Sequence, residues 1–132
     1  MVEVTVIMDM IDWHMPPEVQ SKGIALAKKL ETIIPFIQPV TSRHNKNVWD
    51  NCALIIAEKS DEELKPYLTE LLEWLQDMNW PGAYCIRERL QRYSDNDSIH
   101  SAINICVEKA KACNDEIWED NLHQIQSLDF PT

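Results

Sequence analysis

Ser60-Asp61-Glu62-Glu63-Leu64-Lys65-Pro66-Tyr67-Leu68-Thr69-Glu70-Leu71-Leu72-Glu73-Trp74-Leu75-Gln76-Asp77-Met78-Asn79-Trp80-Pro81-Gly82-Ala83 holds the reading that decides the fold. Leu64, Leu68, Leu71, Leu72, Leu75 and Met78 recur at three- and four-residue spacing, and acids fill the opposite face. That periodicity predicts an amphipathic helix over 61–78. Ser60 with Glu63 three residues on fits a capping box, and acids in the first turn suit the helix dipole. Pro66 conflicts with an unbroken helix, because it removes a backbone donor inside the segment. Either the first turn stands apart, or the helix kinks there.

Pro81 disfavours helical geometry at Trp80 and fits the first position of a new helix. One helix is therefore expected to end near Met78 and the next to begin at Pro81. So short a connection forces a helical hairpin or a sharp corner, with Trp80 in the gap. Met10-Ile11-Asp12-Trp13, followed by Pro16 and Pro17, echoes this corner. A helix is expected from Pro17 to about Leu30, then a short helix or turn around Ile33–Ile37, then a loop to about Asn45. Further helices are expected over 47–58 and 98–112.

Asp61-Glu62-x-Leu64-x-x-x-Leu68 resembles Asp115-Glu116-x-Trp118-x-x-x-Leu122, an offset of 54 residues. Such echoes suit degenerate helical repeats, each burying a face on the next. Val2, Val4, Val6 and Met8 alternate as a strand would, but a lone strand has no partner, so a first helix is expected. The expectation is one all-α domain over 1–132, a HEAT/armadillo-like superhelix of stacked hairpins. The composition agrees: 132 residues with 45% apolar content can bury a core. Two glycines are too few for a fold built on many tight turns.

The net charge of −10 is uneven. Residues 1–47 are neutral, whereas residues 48–132 carry seventeen acids against seven bases. An acidic body repels phosphates, which argues against nucleic acid and anionic membranes as partners and allows a basic protein. Cys52, Cys85, Cys106 and Cys113 form no C-x-x-C pair. On one helix Cys106 and Cys113 would lie roughly 10 Å apart, too far for a bridge. Reduced thiols, no cleavable leader, no apolar run near the ~18 residues of a membrane span and a cytoplasmic location are expected.

No nucleotide-binding glycine motif and no nucleophile elbow occurs. His14, His44, His100 and His123 have no His or Cys neighbour at helical metal spacing, so neither metal nor cofactor is expected. His44 and Cys52 form a conceivable nucleophile pair without an orienting third group. Cys52 and Cys106 read as buried structural cysteines. The acid pairs Glu62/Glu63, Glu70/Glu73 and Glu119/Asp120 read as solvated helix faces. Asp77 and Asn79 beside Trp80 allow two readings: a polar pocket, or turn hydrogen bonding by Asx side chains. Five tryptophans raise the question of a binding face. Trp74, between the apolar and acidic stripes, is the best candidate for a partly exposed one. Trp49, Trp74, Asp77, Asn79 and Trp80 are thus the candidate interaction or corner residues. The loop 38–47 is the only locally basic stretch.

Leu72–Ala83, Asn45–Ala53 and Trp13–Gln20 resemble a family of small bacterial domains of unknown function. The likeness spans about residues 10–125, with the Trp80-Pro81 motif its most specific part. The resemblance implies the HEAT/armadillo-like fold and brings no catalytic residues. The leading expectation is a non-catalytic protein–protein interaction module, in one version an immunity-type inhibitor of a basic toxin. The competing ones are a small-molecule enzyme with a site near Asp77, Asn79 and Trp80, and a subunit that mainly dimerises.

Overall fold

The computed structural model describes residues 4–41 and 46–128, and among these it is all helical. Helices α1 (Val4–Met10) and α2 (Pro17–Lys28) form a first hairpin. A 3-10 turn at Ile34–Phe36 and the short α3 (Gln38–Thr41) lead to α4 (Trp49–Ala57). Then come α5 (Asp61–Leu64), α6 (Leu68–Leu72), α7 (Ala83–Gln91), α8 (Asn96–Ala112) and α9 (Glu116–Leu128). Helix α2 packs on α4, α4 on α7, α6 on α8, and α9 closes against α8, α7 and the end of the α6 segment. No helix of the described residues is long and apolar enough to cross a membrane.

The segment 61–78 is helical but not one helix. Pro66 lies in a 3-10 turn, Lys65–Tyr67, that separates α5 from α6, so the first turn stands apart as α5. After Leu72 the chain tightens again into a 3-10 turn, Glu73–Gln76, and Asp77 is extended. The end expected near Met78 therefore falls two residues earlier. The capping box is present: Glu63 N–H donates to Ser60 Oγ at 3.1 Å, and Ser60 N–H donates to Glu63 Oε1 at 3.1 Å.

The tightening has a consequence for polar satisfaction. A helix end leaves carbonyls without intrahelical partners. Helix α9 supplies donors: Trp118 Nε1 donates to Leu72 O at 3.1 Å, and Asn121 Nδ2 donates to Leu75 O at 2.7 Å. The first hairpin is tied down in the same way. The Lys59 ammonium, 7% exposed, donates to Lys28 O at 3.2 Å and Leu30 O at 2.9 Å. Buried Asn51 donates to Ile11 O at 2.8 Å and to Gln20 Oε1 at 2.8 Å.

The 54-residue echo holds for the apolar positions and fails for the acids. Leu64, Leu68, Trp118 and Leu122 are all buried. Asp115 caps α9 by accepting from Trp118 N–H at 3.0 Å. Asp61, by contrast, accepts from Arg89 Nη2 at 2.6 Å and from Ser94 N and Oγ at 2.9 and 2.6 Å. Burial alone would raise the Asp61 carboxyl, but the Ser94 hydrogen bonds and the Arg89 guanidinium outweigh it and hold it at about 2.

Candidate functional site

The tryptophan corner is built from three elements. Trp49 opens α4, Trp74 lies in the 3-10 turn after α6, and Trp80 lies in the connection to α7. Trp49 meets Trp74 edge-on at 5.8 Å and Trp80 edge-on at 5.5 Å between ring centroids. This T-shaped geometry is the favoured one for aromatic pairs. Trp74 Nε1 donates to Pro81 O at 2.9 Å, which fixes the corner from inside. Lys46 Nζ lies 5.7 Å from the Trp49 ring and 5.9 Å from that of Trp80, within cation–π range.

Trp74 is fully buried, which corrects the expectation of a partly exposed ring. A 3-10 turn advances each residue by more than the α-helix does. Trp74 therefore rotates off the flank of the apolar stripe and into the core. The corner also departs from the expected helix start at Pro81. Helix α7 begins at Ala83, and Gly82 precedes it with φ +85°. A Cβ at Gly82 would stand 2.8 Å from Ala53 Cβ, 2.9 Å from Trp49 O and 3.1 Å from Trp74 Cζ2.

Asp77 and Asn79 are engaged by the turn. Asn79 N–H donates to Asp77 Oδ1 at 2.8 Å, and Trp80 N–H donates to Asp77 O at 3.0 Å. This Asx turn is the structural member of the pair of readings drawn from sequence. The five nominated residues thus do come together, as a packed corner: Trp49 and Trp74 are buried, Asp77 and Trp80 half-buried, and Asn79 exposed.

Cys52 and Cys106 are buried as expected, and Cys113 is exposed. Burial pushes the Cys52 thiol well up, and it pushes the Cys106 thiol up to about 11, so neither is a nucleophile at neutral pH. Of the basic loop, residues 42–45, His44 included, lie outside the described residues. Glu62, Glu63 and Asp120 are exposed, whereas Glu70, Glu73 and Glu119 are half-buried.

A surface feature that sequence reading did not nominate lies elsewhere. An open groove of about 370 Å³ runs between the Pro66 turn with the start of α6 and the first half of α8. Lys65, Pro66 and Leu68 line one side; Asp97, Ser101 and Ile105 line the other, with Ala102 between them. Ile105 is 51% exposed although its helix neighbours Ile103 and Cys106 are buried. The break at Pro66 sets this side of the groove, so the proline is the signal by which it was findable. At the far end of the α6–α8 seam Lys109 Nζ faces Glu73 Oε2 at 3.9 Å, and Glu70 accepts from Thr69 Oγ1 at 3.1 Å.

Residues 45–131 match the family model described as a domain of unknown function, DUF5071. The Trp80-Pro81 corner falls inside the matched segment, and Trp13–Gln20 falls outside it. No curated protein and no solved structure matches the chain.

Proposed function

Because the chain belongs to the DUF5071 family of domains of unknown function, we propose a reading from its own surfaces: a non-catalytic protein–protein interaction module. The observation that carries the reading is the contrast between corner and groove. At the corner, the Asp77 carboxylate and the Trp74 indole N–H are committed to backbone partners. A pocket enzyme at Asp77, Asn79 and Trp80 would need that carboxylate for proton transfer. The groove between α6 and α8 instead offers exposed apolar side chains, Pro66 and Ile105, over a base of Leu68 and Ala102.

The scaffold in this reading is a short HEAT/armadillo-like stack: the α1–α2 hairpin, the layers α4 on α7 and α6 on α8, and the α8–α9 pair closing the end. The layer contacts of α4 with α7 and of α6 with α8 support it. Stacks of this kind present an extended face to a partner. A narrower version is an immunity-type inhibitor that covers a basic toxin. It is favoured by the charge, since residues 48–132, nearly the family segment, carry the whole −10.

Affinity capture of the tagged chain from its own cell extract, at low and high salt, tests the reading. One protein retained in stoichiometric amount is the expected result, with loss at high salt if the acidic surface drives recognition. Empty capture at both salts would contradict it and return attention to ligand screening.

A further inference from the structure

Resting on the interaction-module reading, we infer that the α6–α8 groove is the docking surface and that its occupant is a basic amphipathic helix of another protein. Three features of the groove define that occupant.

The first is size and shape. About 370 Å³ of open space admits a few aliphatic side chains rather than a folded surface. Ser98, Ser101 and Ala102 keep the α8 side low, so a helix backbone can approach closely. Helix-in-groove recognition uses anchors spaced three and four residues apart.

The second is the apolar content. Pro66 and Ile105 stand exposed at its edges, and Leu68 and Ala102 are the buried base. Exposed ordered aliphatic surface of this kind gains by being covered.

The third is charge. Each of two lysines near the groove has an acid close by: Lys109 faces Glu73, and Lys65 acts on Asp95. Asp97 in the lining and Glu70 at the seam are acids beyond those pairs. Lys65 and Asp97, the charged residues of the lining itself, balance, so the negative surplus comes from the neighbouring Asp95 and Glu70, on a body that is itself strongly acidic. An acidic or neutral amphipathic helix would meet repulsion or no steering, whereas Lys and Arg flanking the anchors would be attracted.

The test is a titration of the isotope-labelled full chain with three synthetic peptides, read by NMR shift changes. The first is a Lys/Leu peptide with Leu at helical three- and four-residue spacing. The second has the same composition scrambled, and the third has Glu in place of Lys. The expected result is shifts concentrated at Leu68, Ser98, Ser101, Ala102 and Ile105 with the first peptide. Binding should be at least about tenfold weaker for the other two. Ser101→Arg, at an exposed position, should weaken the first peptide by about tenfold or more while leaving the thermal melt unchanged, and Ile105→Glu should do the same.

Equal binding of the scrambled peptide, or shifts spread over the acids of α9, would overturn the proposal in favour of diffuse electrostatics. Self-association blocked by Ser101→Arg would overturn it in favour of a second copy of this chain. The two levels of the reading fail differently. A captured partner that Ser101→Arg still holds removes the groove and leaves the module, whereas capture that returns nothing removes the module.

Discussion

Replacing Gly82 by alanine probes the tryptophan corner with one methyl group. Two costs add. Gly82 has φ +85°, where an L residue brings its Cβ against the backbone, at about 1–2 kcal/mol. The new Cβ would also stand 2.9 Å from Trp49 O and 2.8 Å from Ala53 Cβ. These are a carbonyl and a helix-borne methyl, not flexible side-chain ends. Overpacking of this kind costs about 1–3 kcal/mol. The expected loss is therefore about 2–5 kcal/mol, a large fraction of the roughly 5–15 kcal/mol of a typical domain. Urea unfolding followed by tryptophan fluorescence is the assay, because Trp49, Trp74 and Trp80 surround the site.

Gly23→Ala is the control. Its Cβ would meet Ile11 Cγ2 and Met10 Cβ at 2.8 Å each, but Gly23 lies within α2, without a left-handed φ. Alanine there gains about 1 kcal/mol of helix propensity, so its net cost should be the smaller. A loss under about 1 kcal/mol for Gly82→Ala, at unchanged m-value, would refute this account of the corner.

Asp61→Asn should cost about 3 kcal/mol at neutral pH, because it strands the buried Arg89 guanidinium; Asp61 is itself 29% exposed, which keeps the figure at the low end. The Asp61 carboxyl sits at about 2 in the fold, below its ordinary value of about 3.9, so its contribution is present above pH ~4 and is lost as pH falls toward 2. Stability curves against pH should show that decline in the wild type, and a smaller decline in the variant. Trp118→Phe keeps one aromatic ring but removes the indole N–H that donates to Leu72 O, and the loss of that donor alone should cost about 1–3 kcal/mol by chemical denaturation, with the void left by the smaller ring adding to it. A thiol reagent should label Cys113 rapidly in the native protein and reach Cys52 and Cys106 only on unfolding. A chain cut to 45–131, the family segment alone, should fail to give a cooperative melt, because it removes α2 and the Ile34–Phe36 turn that pack on α4 and strands Lys59 and Asn51.

Much of the helical layout was legible because apolar spacing and proline placement are local signals. Pro17 opens α2 as its N1 residue, and Ser60 with Glu63 closes its capping box. Spacing alone misplaces Trp74 because the α-helical rotation does not continue through Glu73–Gln76, where the chain takes the tighter 3-10 form. Lys59 and Arg89 were not singled out at all. Charged residues are normally solvated, and their partners are carbonyls and an acid about thirty residues away in sequence. Spacing groups Asp61 with Glu62 and Glu63 on one hydrophilic face. That face is exposed at the two glutamates, whereas Asp61 points to Ser94 and Arg89. The corner residues were legible as a group, since a tryptophan before Pro-Gly marks a turn. Their packed state was not, because it depends on Trp49, which arrives from a different helix. The groove was legible only as the break at Pro66. Its second wall comes from α8, beyond the reach of any local pattern.

Photocrosslinking in the living cell tests the central claim most directly. A benzophenone side chain is placed at Ser101 in the groove, and in a second strain at Leu54, which is exposed on α4. The account predicts that position 101 crosslinks to one protein other than this chain, through a helix rich in Lys and Arg, and that position 54 does not. No crosslink at position 101, or the same crosslinks at both positions, would contradict it.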